Sequence, residues 1–197
     1  MGPTPAELSV RWLPDDDGWR LFELTSRGDH VTVRLHTPDR RASRPLAIVL
    51  GEPAAEIGPV EGCATLTLDL PLFGARARAK WSHRLQRCLA DGAERESDRA
   101  LLDEFRSQAA ADLGRALDVC RALPEVGSRS GLLGLGAGAW VGARLRASEP
   151  RLGVVILAPG DLAASLDPRE PGAAPPPDLV FVRDAAEGIR RLGEALA

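Results

Sequence analysis

The glycine spacing in residues 130–140, SGLLGLGAGAW, is typical of a tight turn between a strand and a helix. Gly134, Gly136 and Gly138 stand at every second position, where the absence of a side chain lets the backbone turn sharply. Such a turn can present a nucleophilic side chain at its centre, or its backbone N–H groups can hold an anion. The central residue is Gly136, which has no side chain. The spacing alone leaves three interpretations open: a lost nucleophile, a phosphate-binding loop, or a turn without chemistry.

Acidic residues are expected to lie near this turn. Glu52 and Asp69 each follow an apolar run, and Arg76 is the expected structural partner of this acidic pair. Ligands of an open parallel sheet gather at the carboxyl ends of its strands. The candidate pocket therefore consists of residues expected at such ends: Gly51, Glu52, Asp69, Arg76, Gly134, Gly136, Gly138, Asp161 and Asp184.

Two periodicities predict the elements that position these residues. Apolar and polar residues alternate over 19–27 and 30–37 around Gly28-Asp29, which predicts an antiparallel hairpin. Further strands are predicted from short apolar runs at 46–51, 64–71, 131–136, 152–159 and 178–184. Helical spacing predicts helices at 84–90, 97–123, 137–149 and 185–197. This order predicts an α/β fold with a mostly parallel central sheet flanked by helices and an N-terminal antiparallel hairpin.

Length and composition narrow the class of protein. We expect an N-terminal arm over 1–18 and a single domain over 19–197, with a proline-rich loop at 168–177. The net charge of −3 argues against nucleic-acid or anionic-membrane partners. The sequence has neither a signal peptide nor a run of about 20 apolar residues, so we expect a cytoplasmic protein. Three widely spaced cysteines predict buried reduced thiols, and we expect no metal and no cofactor.

Four segments carry a resemblance to a known family: DLPLFGAR (69–76), ALDVCRALPEV (116–126), GLGAGA (134–139) and LGVVILAPG (152–160). In order and spacing they resemble the α/β-hydrolase superfamily, in particular the branch of dienelactone hydrolases and acetyl xylan esterases. The match spans about residues 19–184. The resemblance implies an α/β-hydrolase-like fold, in which 134–139 takes the place of the family's Gly-x-Ser-x-Gly-Ala turn.

The departures from the family imply that catalysis is lost. Gly136 stands where the nucleophilic serine would be, and VLGEPAAE (49–56) lacks the His-Gly of the oxyanion loop. Asp184 or Glu187 matches the neighbourhood of the family's acid, but no histidine follows His83. The usual last strand and helix are expected to be missing. The resemblance therefore implies a degenerate nucleophile position and no intact catalytic residue.

We accordingly expect a pseudoenzyme that acts as a small-molecule-binding or protein-interaction module. The strand at 178–184 would leave an unpaired sheet edge, which predicts a homodimer or a partner protein there. One alternative is an active carboxylic-ester hydrolase with a nonstandard nucleophile. A second is a nucleotide-binding protein, because the loop from Gly134 to Ala139 also fits Gly-x-Gly-x-x-Ala, with Asp161 as a ribose ligand.

Overall fold

The computed structural model describes residues 10–160, 179–182 and 184–197, which form an open sheet covered by helices. The strands are Arg11–Asp16 (β1), Trp19–Ser26 (β2), Asp29–His36 (β3), Arg44–Leu50 (β4), Ala64–Leu68 (β5), Val126–Leu135 (β6), Val154–Ala158 (β7) and Leu179–Phe181 (β8). The helices are Ala79–Asp91 (α1), Glu96–Arg121 (α2), Ala137–Ser148 (α3) and Ala185–Leu196 (α4). The order of strands across the sheet is β1-β2-β3-β5-β4-β6-β7-β8.

The sheet is antiparallel at one end and parallel over the rest. β1, β2, β3 and β5 pair antiparallel, whereas β5, β4, β6, β7 and β8 run parallel to their neighbours. The β2–β3 hairpin turns at Arg27 and Gly28, whose φ angles of 49° and 88° favour the twist of a two-residue hairpin turn. The predicted fold class, an α/β fold with a mostly parallel sheet and an N-terminal hairpin, is confirmed.

Alternating side chains of the parallel strands supply two cores. Leu46, Ile48 and Leu50 of β4 pack on the face covered by α1, α2 and α3. Ala47 and Val49 pack on the opposite face, against α4. Because both faces are covered, these strands are apolar throughout, as the continuous run in the sequence predicted.

Three boundaries differ clearly from the prediction. In each case the element contains exposed residues, which give no pattern of buried side chains in the sequence. The predicted arm (1–18) contains β1, an edge strand that is exposed along nearly its whole length and so shows no alternation. β6 begins at Val126 rather than at 131, because Val126 pairs with Arg44 and the exposed Ser128 and Arg129 follow it within the strand. α1 begins at Ala79 rather than at 84, since its first turn is largely exposed. The predicted proline-rich loop at 168–177 lies outside the described residues.

The cysteines are buried and free, as predicted. Complete burial raises the pKa of the Cys120 thiol to about 12, so this group stays neutral. No helix of the described ranges is both long and apolar enough to cross a membrane.

Candidate functional site

The turn between β6 and α3 is held in an unusual backbone conformation. Gly136 joins the two elements with φ 52° and ψ −120°, a combination that L-residues rarely adopt. Its N–H donates to the carbonyl of Ala158 on β7 (3.1 Å), and its carbonyl accepts from the N–H of Ala139 (3.0 Å). A Cβ atom added at Gly136 would meet nothing within 4 Å. The central position of the turn therefore faces open space, and its backbone is fixed from both sides.

The flanking glycines are required by close packing rather than by their backbone angles. A Cβ at Gly138 would lie 2.1 Å from the carbonyl oxygen of Leu50, and one at Gly134 would lie 2.5 Å from the carbonyl oxygen of Gly138. Gly51 is tight as well, since a Cβ there would approach the side chains of Ile57 and Leu135 to 3.3 Å. These glycines bring the start of α3 against the end of β4.

A cleft of about 400 Å³ opens beside this turn. Its walls come from the connection after β4, which includes a 3-10 turn at Ala54–Glu56, and from the β6–α3 turn. The residues that line it are Glu52, Pro53, Glu56, Ile57, Leu135, Gly136 and Ala137. Two of the predicted pocket residues, Glu52 and Gly136, thus meet in one cleft at the carboxyl ends of β4 and β6.

Glu52 is a titratable residue that lines the cleft together with Gly136. The backbone N–H of Ala137, the first residue of α3, lies near this carboxyl and favours its charged form. Glu52 is an exposed residue that lines the open cleft. Desolvation there raises its pKa to about 7, and the N–H of Ala137 opposes this rise only in part. The carboxyl group is therefore poised between its two protonation states near neutral pH.

Asp69 braces the wall of the cleft from the neighbouring strand end. Its carboxylate accepts from the N–H of Ala54 (3.3 Å) and from the N–H of Ala75 (2.9 Å). It thereby ties the connection after β4 to the loop after β5. Asp69 is not among the residues that line the cleft. Its contacts are those of a structural residue.

Arg76 has a different partner from the one predicted. Its guanidinium donates to the backbone carbonyl of Asp69 (3.2 Å) and to the carboxylates of Asp112 (2.6 Å) and Asp29 (3.2 Å). The expected pairing with the Glu52 and Asp69 carboxylates is wrong. Sequence reasoning missed Asp112, which is fully buried on α2. A signal existed, because Asp112 interrupts a stripe of apolar residues at helical spacing.

Of the remaining two predicted carboxylates, only Asp184 belongs to the described residues, and it does not line the cleft. Asp184 is exposed, and its carboxylate accepts from the N–H of Glu187 (2.9 Å), so it caps the start of α4. Asp161 lies outside the described residues. The structure thus brings Gly51, Glu52 and the three turn glycines together, braced by Asp69 and Arg76.

The mostly parallel sheet, with a strand–glycine–helix turn at the end of a central strand, is the architecture of the α/β hydrolases. Solved structures confirm that this chain has the α/β-hydrolase fold. An esterase from an Arctic intertidal metagenomic library aligns with a TM-score of 0.52 and 20% identity over 75% of this chain and 64% of its own. A Bacteroides fragilis protein assigned as an acetyl xylan esterase aligns with a TM-score of 0.56 and 14% identity, over 80% of this chain and 48% of its own.

The likeness concerns the fold, since identity is low throughout. This chain spans less than two thirds of the length of either structure. No protein-family model and no curated protein sequence matches the chain. What the site does must therefore be argued from its own residues.

Proposed function

We propose that this chain is a catalytically inactive protein of α/β-hydrolase fold that binds a small molecule in the cleft between Glu52 and Gly136. The observation that carries the proposal is the glycine at the centre of the retained turn. Hydrolases of this fold place the nucleophilic hydroxyl at that point. Without a side chain at residue 136, no covalent acyl intermediate can form there.

Glu52 supports the proposal independently. In hydrolases of this fold, the N–H of the residue after the nucleophile stabilises the oxyanion of the transition state. The corresponding N–H here belongs to Ala137, and it already favours the charged form of the Glu52 carboxyl beside it. An oxyanion would have to compete with the Glu52 carboxylate for this N–H, and the negative charge of the carboxylate would repel the oxyanion. The cleft is therefore unsuited to ester hydrolysis on two counts.

The shape of the cleft supports ligand binding. Its volume of about 400 Å³ falls within the range of small-molecule sites, about 300–1,000 Å³. Pro53, Ile57 and Leu135 give it apolar walls, and Glu52 supplies a polar group that can orient a ligand. The position above Gly136, where a nucleophile would stand, adds open space to the same cleft.

The alternatives have less support from the site. A nonstandard ester hydrolase that used Glu52 as its base would also need the Ala137 N–H for its oxyanion, and the Glu52 carboxyl lies beside that N–H. A nucleotide would bring its phosphate to the start of α3, and there the Glu52 carboxylate competes for the N–H and repels the phosphate. The ester-hydrolase and the nucleotide-binding interpretations both conflict with the position of Glu52 beside the Ala137 N–H.

A partner at the sheet edge remains a second part of the proposal. β8 is the outermost described strand next to β7, and the edge of a sheet offers unpaired backbone groups to another chain. A second copy pairing there would give a dimer by light scattering at micromolar concentration. A monomer under those conditions would contradict the homodimer.

The function is tested by hydrolysis of p-nitrophenyl acetate by the wild type, Gly136→Ala and Gly136→Ser. We expect all three proteins to match the buffer blank. The wild type and Gly136→Ala lack a nucleophile, and in Gly136→Ser the Glu52 carboxyl still lies beside the Ala137 N–H. Wild-type turnover that survives repurification would overturn the proposal. Activity confined to Gly136→Ser would support the loss of the nucleophile as the sole lesion and would contradict the blocking role given to Glu52.

A further inference from the structure

We propose that the ligand of this cleft is a small molecule with a protonated amine and an apolar body, and that its ammonium group contacts Glu52. The inference rests on the proposed function and names the ligand class of the same cleft. It is carried by the charge of the lining residues, by the acceptor capacity of Glu52 and by the space above Gly136.

The charged residues that line the cleft are all acidic. Glu52 and Glu56 contribute carboxylates, and no lysine, arginine or histidine stands among the described lining residues. A concave site lined by one sign of charge concentrates ligands of the opposite sign. The lining therefore favours a cation over a neutral or anionic molecule of the same shape.

Charged groups on the neighbouring strands are engaged with the backbone of the cleft wall. Arg34 of β3 donates to the carbonyl of Ala54 (2.9 Å), and its guanidinium lies 4.6 Å from the ring centre of Trp19. Asp69, after β5, accepts from the N–H of the same Ala54. The two groups hold Ala54 from both its carbonyl and its N–H, and neither lines the cleft.

Glu52 can accept a second donor without losing its first. A carboxylate has two oxygens and about four lone-pair directions, and the N–H of Ala137 uses one of them. An ammonium group beside Gly136 would find open space, since a Cβ there meets nothing within 4 Å. Its hydrocarbon part would then lie against Pro53, Ile57 and Leu135. A charge-assisted hydrogen bond of this kind is roughly twice as strong as a neutral one.

Protonation of Glu52 gives the binding a defined pH dependence. Desolvation raises the pKa of this carboxyl to about 7, so a growing fraction of it is neutral as the pH falls below that value. An aliphatic amine stays protonated over the same range. Affinity for an amine should therefore rise with pH through about 7 and then level off. Among the described residues, Glu56 also lines the cleft, Glu61 lies in the same connection, and Asp69 and Arg34 hydrogen-bond to the backbone of Ala54.

The test uses three probes with one ring: benzylamine, benzyl alcohol and benzoate. Binding to the full chain is followed through the backbone amide signals of Gly136 and Ala137 in nitrogen-15 NMR spectra. We expect benzylamine to bind about tenfold more tightly than benzyl alcohol at about pH 8, and to lose this advantage at about pH 5.5. Glu52→Gln should remove the advantage at both pH values. Glu61→Gln, at an exposed position of the same connection outside the cleft, should leave it unchanged.

The outcomes separate the ligand class from the proposed function. If benzyl alcohol or benzoate moves the two amide signals at lower concentration than benzylamine, the amine proposal is overturned and the small-molecule site stands. If the advantage of the amine persists in Glu52→Gln, the role assigned to Glu52 is wrong. If none of the three probes moves either signal at millimolar concentration, both the amine proposal and the small-molecule site are contradicted.

Discussion

Replacing Gly138 with alanine should destabilise the fold more than the same change at Gly136, although Gly136 has the rarer backbone angles. A Cβ at Gly138 would lie 2.1 Å from the carbonyl oxygen of Leu50 and 3.0 Å from its Cβ. A backbone oxygen cannot rotate away, so α3 would have to move off β4. At Gly136, by contrast, the new methyl group meets nothing within 4 Å.

The expected magnitudes follow from these contacts. Overpacking typically costs about 1–3 kcal/mol, and we expect a net loss of about 3 kcal/mol at Gly138 because backbone rather than side-chain atoms must shift. This net loss already includes the gain of about 1 kcal/mol that alanine brings through its higher helix propensity. At Gly136 the left-handed φ alone should cost about 1–2 kcal/mol.

Urea unfolding followed by circular dichroism measures both changes. Gly114→Ala serves as the matched control, because Gly114 lies within α2 and its Cβ would come no closer than 4.0 Å to another group, Arg151. This control should gain about 0.5–1 kcal/mol. The packing argument is refuted if Gly138→Ala unfolds within about 1 kcal/mol of the wild type while the control behaves as expected.

Two further predictions concern charged groups. Asp112→Ala should lower the free energy of unfolding in urea by about 3 kcal/mol, because Arg76, only 11% exposed, loses its fully buried partner. Asp29→Ala removes the exposed partner of Arg76 and should cost less than about 1 kcal/mol. Equal losses in the two variants would contradict the larger contribution assigned to Asp112. Glu52 should make stability fall as the pH rises from 4.5 to about 7, since the folded chain holds a proton there that the unfolded chain has released. The loss should be on the order of 1 kcal/mol at this exposed position and should disappear in Glu52→Gln, as judged from urea midpoints across that range.

The parts of the fold that the sequence predicted well are those in which side-chain burial repeats along the chain. The β2–β3 hairpin alternates, and β4 is apolar because both its faces are covered. β1 escaped prediction because an exposed edge strand has no buried face to produce a pattern. The start of β6 escaped for a related reason, since its pairing with Arg44 uses backbone groups that any residue supplies.

The site was predictable as a location but not as a set of contacts. Topology places the ends of β4 and β6 side by side, so Glu52 and Gly136 could be expected to meet. The contact between Arg76 and Asp112 joins residues 36 positions apart and depends on how α2 packs on the sheet. The distance between a carboxylate and one backbone N–H likewise depends on tertiary packing.

Both Gly136 and Glu52 contribute to the proposed loss of catalysis. The first N–H groups of a helix have no partner within it, and in an active hydrolase the oxyanion uses the one that follows the nucleophile. Under the proposed loss of catalysis, Gly136 offers no nucleophile on which an oxyanion could form, and the N–H of Ala137 has no acceptor within its helix. Glu52 offers such an acceptor; its contact with the N–H lowers the pKa of the carboxyl, and the larger effect of desolvation raises that pKa to about 7. We expect a serine restored at residue 136 alone to meet the Glu52 carboxyl beside the Ala137 N–H, so the loss of catalysis proposed for this chain rests on two residues rather than one.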